Sequence, residues 1–257
     1  MELEQWLREN DRFVDWSLFA SPWDQMQRKH NPFRDVQIDA ILHSSGVLQS
    51  ETAVVLDLGC GPGILGKTLL ARRADAQYYG ADGDALMLAA VEHLLPAQNT
   101  HILKADLRRP EWLLPFQNHF DAVVSLTALH WLSRQNLAEL YRRIFSVLKP
   151  GGTLAVGDPY LPDSSTQKGR LQEFQAARAL PETGQTWSEY WTALFARYPI
   201  KELYSRAQAG FQEEFEGSDD GYQLAFHLNS LTEAGFVDVA DFWKCGLRAV
   251  FGGSKPA

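Results

Sequence analysis

The sequence predicts an α/β fold: a doubly wound, mostly parallel seven-stranded sheet with an antiparallel last strand, plus a helical cap. Three observations predict it. Between residues 50 and 158, short apolar runs alternate with amphipathic stretches at the spacing of strand–helix–strand units. A glycine-rich turn, Gly59-Cys60-Gly61-Pro62-Gly63, follows the first of these runs. Near the C-terminal end, two strand-like segments are joined by about two residues, too few for a crossover helix, so they pair antiparallel.

The elements follow in order. Residues 1–50 read as a peripheral helical segment: Trp6 to Phe13, Val14 and Phe19 recur near helical spacing, Ser21-Pro22 marks a break, and a helix runs from Phe33 to Ser44. AVVLDL (53–58) is nearly all apolar, as a strand buried on both faces requires, and a helix follows over 64–73. QYYGAD (77–82) is a second strand ending in an acid. Asp84 then caps a helix over 86–95 that stops at Pro96. HILKAD (101–106), FDAVVSL (120–126) and TLAVGD (153–158) are three more strands, and a helix over 137–148 lies between the last two. From Tyr160 to about Gly221 the alternation fails, and helices are expected over 170–180, 187–198 and 202–211. The core resumes with a helix over 223–235 and strands over 236–243 and 246–255, linked by Lys244 and Cys245. The domain reading is therefore a helical cap segment 1–50, a core of 51–159 with 222–257, and an inserted helical cap 160–221.

Composition narrows the function. The chain has 257 residues and a net charge of -8, which disfavours a nucleic-acid partner. Two cysteines build no disulfide scaffold and suit a reducing cytoplasm. No apolar run approaches the roughly 20 residues that span a bilayer. The eight tryptophans lie mostly outside the core, and such aromatics either glue helices down or line a pocket.

The glycine turn carries the chemistry. Glycines let the backbone approach a ligand, and the free N–H groups of a helix start favour an anion. A dinucleotide site competes for this reading, but the spacing differs from G-x-G-x-x-G, and Asp57 before the first glycine would repel a pyrophosphate. Acids close the next two strand segments, Asp82 lying 25 residues beyond Asp57 and Asp106 another 24 on. An ionised carboxylate suits a diol, and open α/β sheets bind ligands at these strand ends.

VLDLGCGPG resembles the first motif of class I S-adenosylmethionine-dependent methyltransferases, a Rossmann-like family, and GAD, KAD, VVSLTALHWL and VLKPGGTLAV resemble its later motifs. The resemblance covers about 50–160 and 223–254 and is to small-molecule members of the methyltransferase-domain 11/25 type. It implies S-adenosyl-L-methionine as cofactor, with Asp57, Gly59 and Gly61 at its methionyl end. It further implies Asp82 on the ribose hydroxyls and Asp106 with Leu107 at the adenine. Cys60, Gly83 and Leu126 complete the expected cofactor contacts.

The expected reaction is methyl transfer to an O or N atom of a small-molecule acceptor. A tRNA or protein methyltransferase and a non-catalytic binding module of the same fold are the alternatives. His130, after the fourth strand, is the candidate base, with ordering of its loop as its other possible role. Trp16, Phe19, His130, Trp131 and Tyr160 are the candidate acceptor pocket, and Arg170, Arg178 and Arg206 are candidates for a substrate carboxylate. Asp158-Pro159-Tyr160 lacks the second proline of amino-group methylases and follows the wrong strand for them. No metal is expected, no membrane contact, and a monomer or homodimer.

Overall fold

Seven strands form one sheet in the order β3-β2-β1-β4-β5-β7-β6 in this computed structural model, which describes residues 1–178, 185–209 and 216–257. The strands are β1 (Val54–Leu58), β2 (Gln77–Asp82), β3 (Thr100–Lys104), β4 (Phe120–Leu126), β5 (Leu148–Pro159), β6 (Val237–Cys245) and β7 (Arg248–Ser254). All pairings are parallel except those of β7, which runs antiparallel to both β5 and β6. The reversal of order beside β1 makes a switch point at the C-terminal ends of β1 and β4, where open sheets bind ligands.

Two helical layers cover the sheet. On one face lie α3 (Arg34–Ser44), α4 (Ile64–Arg72) and α5 (Ala85–Leu94), whose Ile41, Leu42, Leu69 and Val91 pack on Val55 and Val124. On the other lie α6 (Arg134–Val147), α10 (Leu224–Glu233) and a 3-10 segment at Pro110–Phe116. Asp84 caps α5 as expected, its Oδ1 accepting from Leu86 N and Met87 N.

A third cluster joins α1 (Leu3–Asn10) and α2 (Ser17–His30) to α8 (Trp187–Arg197) and α9 (Lys201–Gln208) over the outer side of α5. Leu3, Leu7, Phe19, Leu86, Leu194 and Ile200 meet there. The N-terminal segment thus divides at Asn31. Helices α1 and α2 go with the later helices, whereas α3 belongs to the sheet layer. The remaining helix, α7 (Ser165–Ala176), has no fully buried residue.

Three expectations change. The break expected at Ser21-Pro22 is absent: α2 runs through Pro22. Burial of Phe19 and Met26 on either side of the proline outweighs the one lost helical hydrogen bond. Strand β5 starts at Leu148, because Lys149–Gly152 extends the strand instead of forming a free turn. The link between the last two strands is Gly246-Leu247, where Gly246 supplies the positive φ of 58° that a tight hairpin needs. The expected helices 170–180 and 202–211 run partly outside the described residues, as does the acidic stretch 211–221. No helix among the described residues is long and apolar enough to cross a membrane.

Candidate active site

At the C-terminal end of β1 the chain turns through Gly59, Gly61 and Gly63 at φ of 66°, 52° and 83°, backbone that residues with a Cβ rarely adopt. Gly59 N and Cys60 N both donate to Ala81 O, at 2.8 and 3.1 Å, which ties the turn to β2. A Cβ on Gly59 would stand 2.3 Å from Cβ of Ala128 and 3.8 Å from Cδ1 of Leu107. Gly66 serves the site indirectly. Its missing Cβ leaves room for the Tyr78 ring, 2.4 Å from where that Cβ would be.

Tyr78 thereby reaches beneath α4 to Asp57, donating its hydroxyl to Oδ2 at 2.8 Å. Asp57 is buried, and its Oδ1 has no hydrogen-bond partner. Burial pushes its pKa up to about 7, against the lowering effect of the Tyr78 bond, and the charge of Asp82 adds to the rise. An orphaned, half-ionised carboxylate oxygen beside a glycine cradle suits a ligand's ammonium group.

Asp82 accepts from Gly61 N and from Asp84 N, both at 2.9 Å, and so fixes the glycine turn against the start of α5. Burial raises its pKa as well. Gly83 follows in the turn to α5. Tyr204 of α9 donates to Oδ2 of Asp84 at 2.7 Å and links the inserted helices to this edge.

Asp57, Gly59, Cys60, Gly61 and Leu126 come together around one cleft of about 60 Å³. Among the walls that sequence reasoning missed are Trp23 and Gln27 of α2 and Arg34 of α3. Arg34 is buried and pairs with Asp24 at 3.0 Å. No local motif marks these residues, since their helices fold back over the turn through tertiary packing. Asp82, Gly83, Asp106 and Leu107 are not walls of this cleft. Asp106 is held by its own neighbour: Arg108 Nε and Nη2 donate to its two oxygens at 2.9 and 2.8 Å. Desolvation acts upward on its carboxyl, but the Arg108 guanidinium holds it below the usual range.

Trp16, Phe19, Trp131 and Tyr160 of the expected acceptor pocket lie apart from the glycine-turn cleft. Phe19 and Trp16 are buried in the helical cluster over α5, where Trp16 stacks on His93 with ring centroids 4.5 Å apart. Their helical spacing signalled burial, not the surface they would meet. Trp131 is exposed, and its carbonyl accepts from Gly217 N at 3.0 Å. Tyr160 turns to the hairpin, its hydroxyl donating to Gly246 O at 3.3 Å. None of the four lines either of the two cavities described here. Nor do the arginine candidates: Arg206 donates to Met1 O and Arg178 lies over the Phe174 ring.

His130 is buried, with its Nδ1 2.9 Å from Oδ1 of Asp158. Leu126 pairs with Gly157 in the β4–β5 register, so the exits of two adjacent parallel strands place the two side chains together. Asp158, passed over in the sequence, has its second oxygen buried without a partner. A second cavity, of about 280 Å³, opens between the end of α2, α7 and the β6–β7 turn.

Residues 55–152 match the family model described as a methyltransferase domain. A trans-aconitate 2-methyltransferase of Variovorax paradoxus is 33% identical over 129 residues, 50% of this chain and 46% of that protein. One of Rhizobium rhizogenes is 30% identical over 146 residues, 57% of this chain and 49% of that protein. The chain thus spans about half the length of the curated relatives it matches. The structure of human N-acetylserotonin methyltransferase in complex with SAM aligns over 93% of this chain and 58% of that one, with TM-score 0.54 and 18% identity. An O-methyltransferase family protein of Burkholderia thailandensis aligns over 99% and 70%, with TM-score 0.53 and 16% identity.

Proposed function

The chain carries a class I S-adenosylmethionine-dependent methyltransferase domain, and on that premise we propose that it methylates an oxygen or nitrogen atom of a small-molecule acceptor. The observation that carries this reading is the unpartnered Oδ1 of Asp57 beside the glycine turn, with Asp82 fixed one strand away. Asp57 would hold the ammonium end of the cofactor, Asp82 the ribose hydroxyls, and the Gly59–Gly61 backbone the chain between them. Bound there, the cofactor supplies an electrophilic methyl group on a sulfonium. The residues of this chain orient the acceptor, exclude water and, where the acceptor atom holds a proton, remove it.

Trp23 and Gln27 of α2 line the cleft over the turn. Helices α1, α2, α8 and α9 share one cluster and act as the cap in this reading. The free thiols of Cys60 and Cys245 fit a reducing cytoplasm. The relatives named for trans-aconitate make that compound a first acceptor to assay.

The test is calorimetric titration with S-adenosylhomocysteine (SAH), followed by transfer of labelled methyl to a metabolite panel that includes trans-aconitate. Folded, ligand-free protein that binds no SAH would overturn the proposal.

The raised pKa of Asp57 sets a pH dependence. A bound ammonium favours the ionised carboxylate, so binding displaces a proton below pH about 7. The Kd for SAH is expected to rise as pH falls below 7, approaching about tenfold per unit, and to level off above it. Asp57→Asn should flatten this dependence while weakening binding. The free protein follows the opposite sign. A carboxyl that ionises near 7 folded but near about 3.9 unfolded stabilises less as pH rises between those values. Thermal unfolding across that range, with and without SAH, checks both.

A further inference from the structure

We propose that the larger cavity is an anion subsite for the acceptor, and that Arg248 anchors there a carboxylate carried by that acceptor. The inference rests on the methyl-transfer reading and adds the class of molecule that is methylated.

The cavity of about 280 Å³ lies at the ligand-binding edge of the sheet. Arg248 opens β7 opposite Pro159, the last residue of β5, and both line the space. Helix α2 lies between this cavity and the glycine-turn cleft, giving Lys29 and His30 to one and Trp23 and Gln27 to the other. His130 lines neither, but its surroundings reach both: Thr127, three residues before it, lines the cleft, and Pro159, next to its partner Asp158, lines the cavity.

The Arg248 guanidinium is under-partnered. Its Nη2 donates to His30 O at 3.3 Å, and its Nε is buried with no partner. Among the described residues no carboxylate pairs with it, whereas the buried Arg34 holds Asp24 at 3.0 Å. A half-buried guanidinium with an unpartnered, buried Nε and no carboxylate in hydrogen-bond reach is a donor arrangement that a carboxylate completes.

The rest of the wall selects among anions. Gln172 and Gln175 line the same wall, where Gln175 Nε2 donates to His30 O at 3.3 Å. Asp219 and Asp220 also line the space; Lys168 pairs with Asp220 at 2.6 Å, and the fields of Asp158 and, more weakly, Asp219 fall on Arg248. The two wall carboxylates repel a dianionic phosphate more strongly than a single carboxylate. The volume suits a compact metabolite.

The test titrates protein saturated with SAH against succinate, fumarate, tricarballylate and benzoate, with succinamide as neutral control and inorganic phosphate as the competing anion. At least one acid is expected to bind, with a Kd that rises about tenfold or more in Arg248→Gln and by less in Arg248→Lys. Succinamide should bind neither protein. The SAH affinity of each variant reports that it is folded, and Arg248→Lys serves if Arg248→Gln is not. Wild-type protein that binds SAH but none of the acids would overturn the subsite. So would acids bound equally by wild type and variants, or binding of phosphate alone. Repeating the acid titrations without SAH separates failure of the subsite from failure of the cofactor reading.

Discussion

Asp82→Ala is expected to raise the Kd for SAH by about a hundredfold or more. Two effects act together. Charge-assisted hydrogen bonds from a ligand diol to an ionised carboxylate are worth about 1.5–3 kcal/mol each, and a hundredfold corresponds to about 2.7 kcal/mol. The same side chain accepts from Gly61 N and Asp84 N, so its loss also frees the glycine turn and the start of α5. Stability should fall by about 1–3 kcal/mol, since Gly61 N and Asp84 N lose their acceptor, offset in part by relief of a buried charge. Asp82→Asn, which keeps an acceptor oxygen but not the charge, should fall between, near tenfold. Calorimetry on the three proteins, beside their thermal unfolding, checks the order. A Kd unchanged in Asp82→Ala would remove Asp82 from the cofactor site, and a variant that lost both binding and fold would be replaced by Asp82→Asn.

The sheet and the cofactor edge were legible because both are written locally. Buried parallel strands are short apolar runs, and a glycine turn after the first of them has a spacing that no side chain can imitate. Asp57, Gly59 and Gly61 fall together for that reason, and Asp84 caps α5 because an acid before an apolar helix satisfies its first N–H groups. What covers the edge was not legible. Trp16, Phe19 and Trp23 sit in one short N-terminal stretch and read alike as aromatics on a helix, yet the first two fill the cluster over α5 and only the third meets the glycine turn. That choice depends on where α2 docks, which no local pattern encodes. Pro22 misled in the same way, because the burial that holds α2 together lies on other elements. The Asp106–Arg108 pair, two residues apart, was in principle readable. Asp158 and Arg248 were not: each acquires its meaning from a partner on a neighbouring strand or across the cavity.

The largest kinetic effect is expected at His130 and Asp158. With Asp158 ionised, Nδ1 of His130 donates to it, which leaves Nε2 unprotonated and able to accept a proton. Both side chains are buried, at 7% and 1% exposure, so the ring is held by this bond and not by water. His130 O accepts from Ser218 N at 3.1 Å, which pins the loop from the side of the inserted segment. For an acceptor atom that carries a proton, His130→Ala should lower kcat by about 10²–10⁴-fold with the SAH Kd unchanged. Asp158→Asn is a positioning change: kcat should fall by a smaller factor, with the KM for the acceptor and the SAH Kd unchanged. A structural role alone would lower thermal stability and SAH affinity together with activity. An unchanged kcat in His130→Ala would exclude the base and place the methyl on an atom that holds no proton, such as an oxygen of the carboxylate that Arg248 anchors. The two experiments therefore constrain each other. Acid binding that depends on Arg248, with a kcat that ignores His130, points to ester formation at that carboxylate. Acid binding with a kcat that depends on His130 points instead to a hydroxyl or amine elsewhere on the same acceptor.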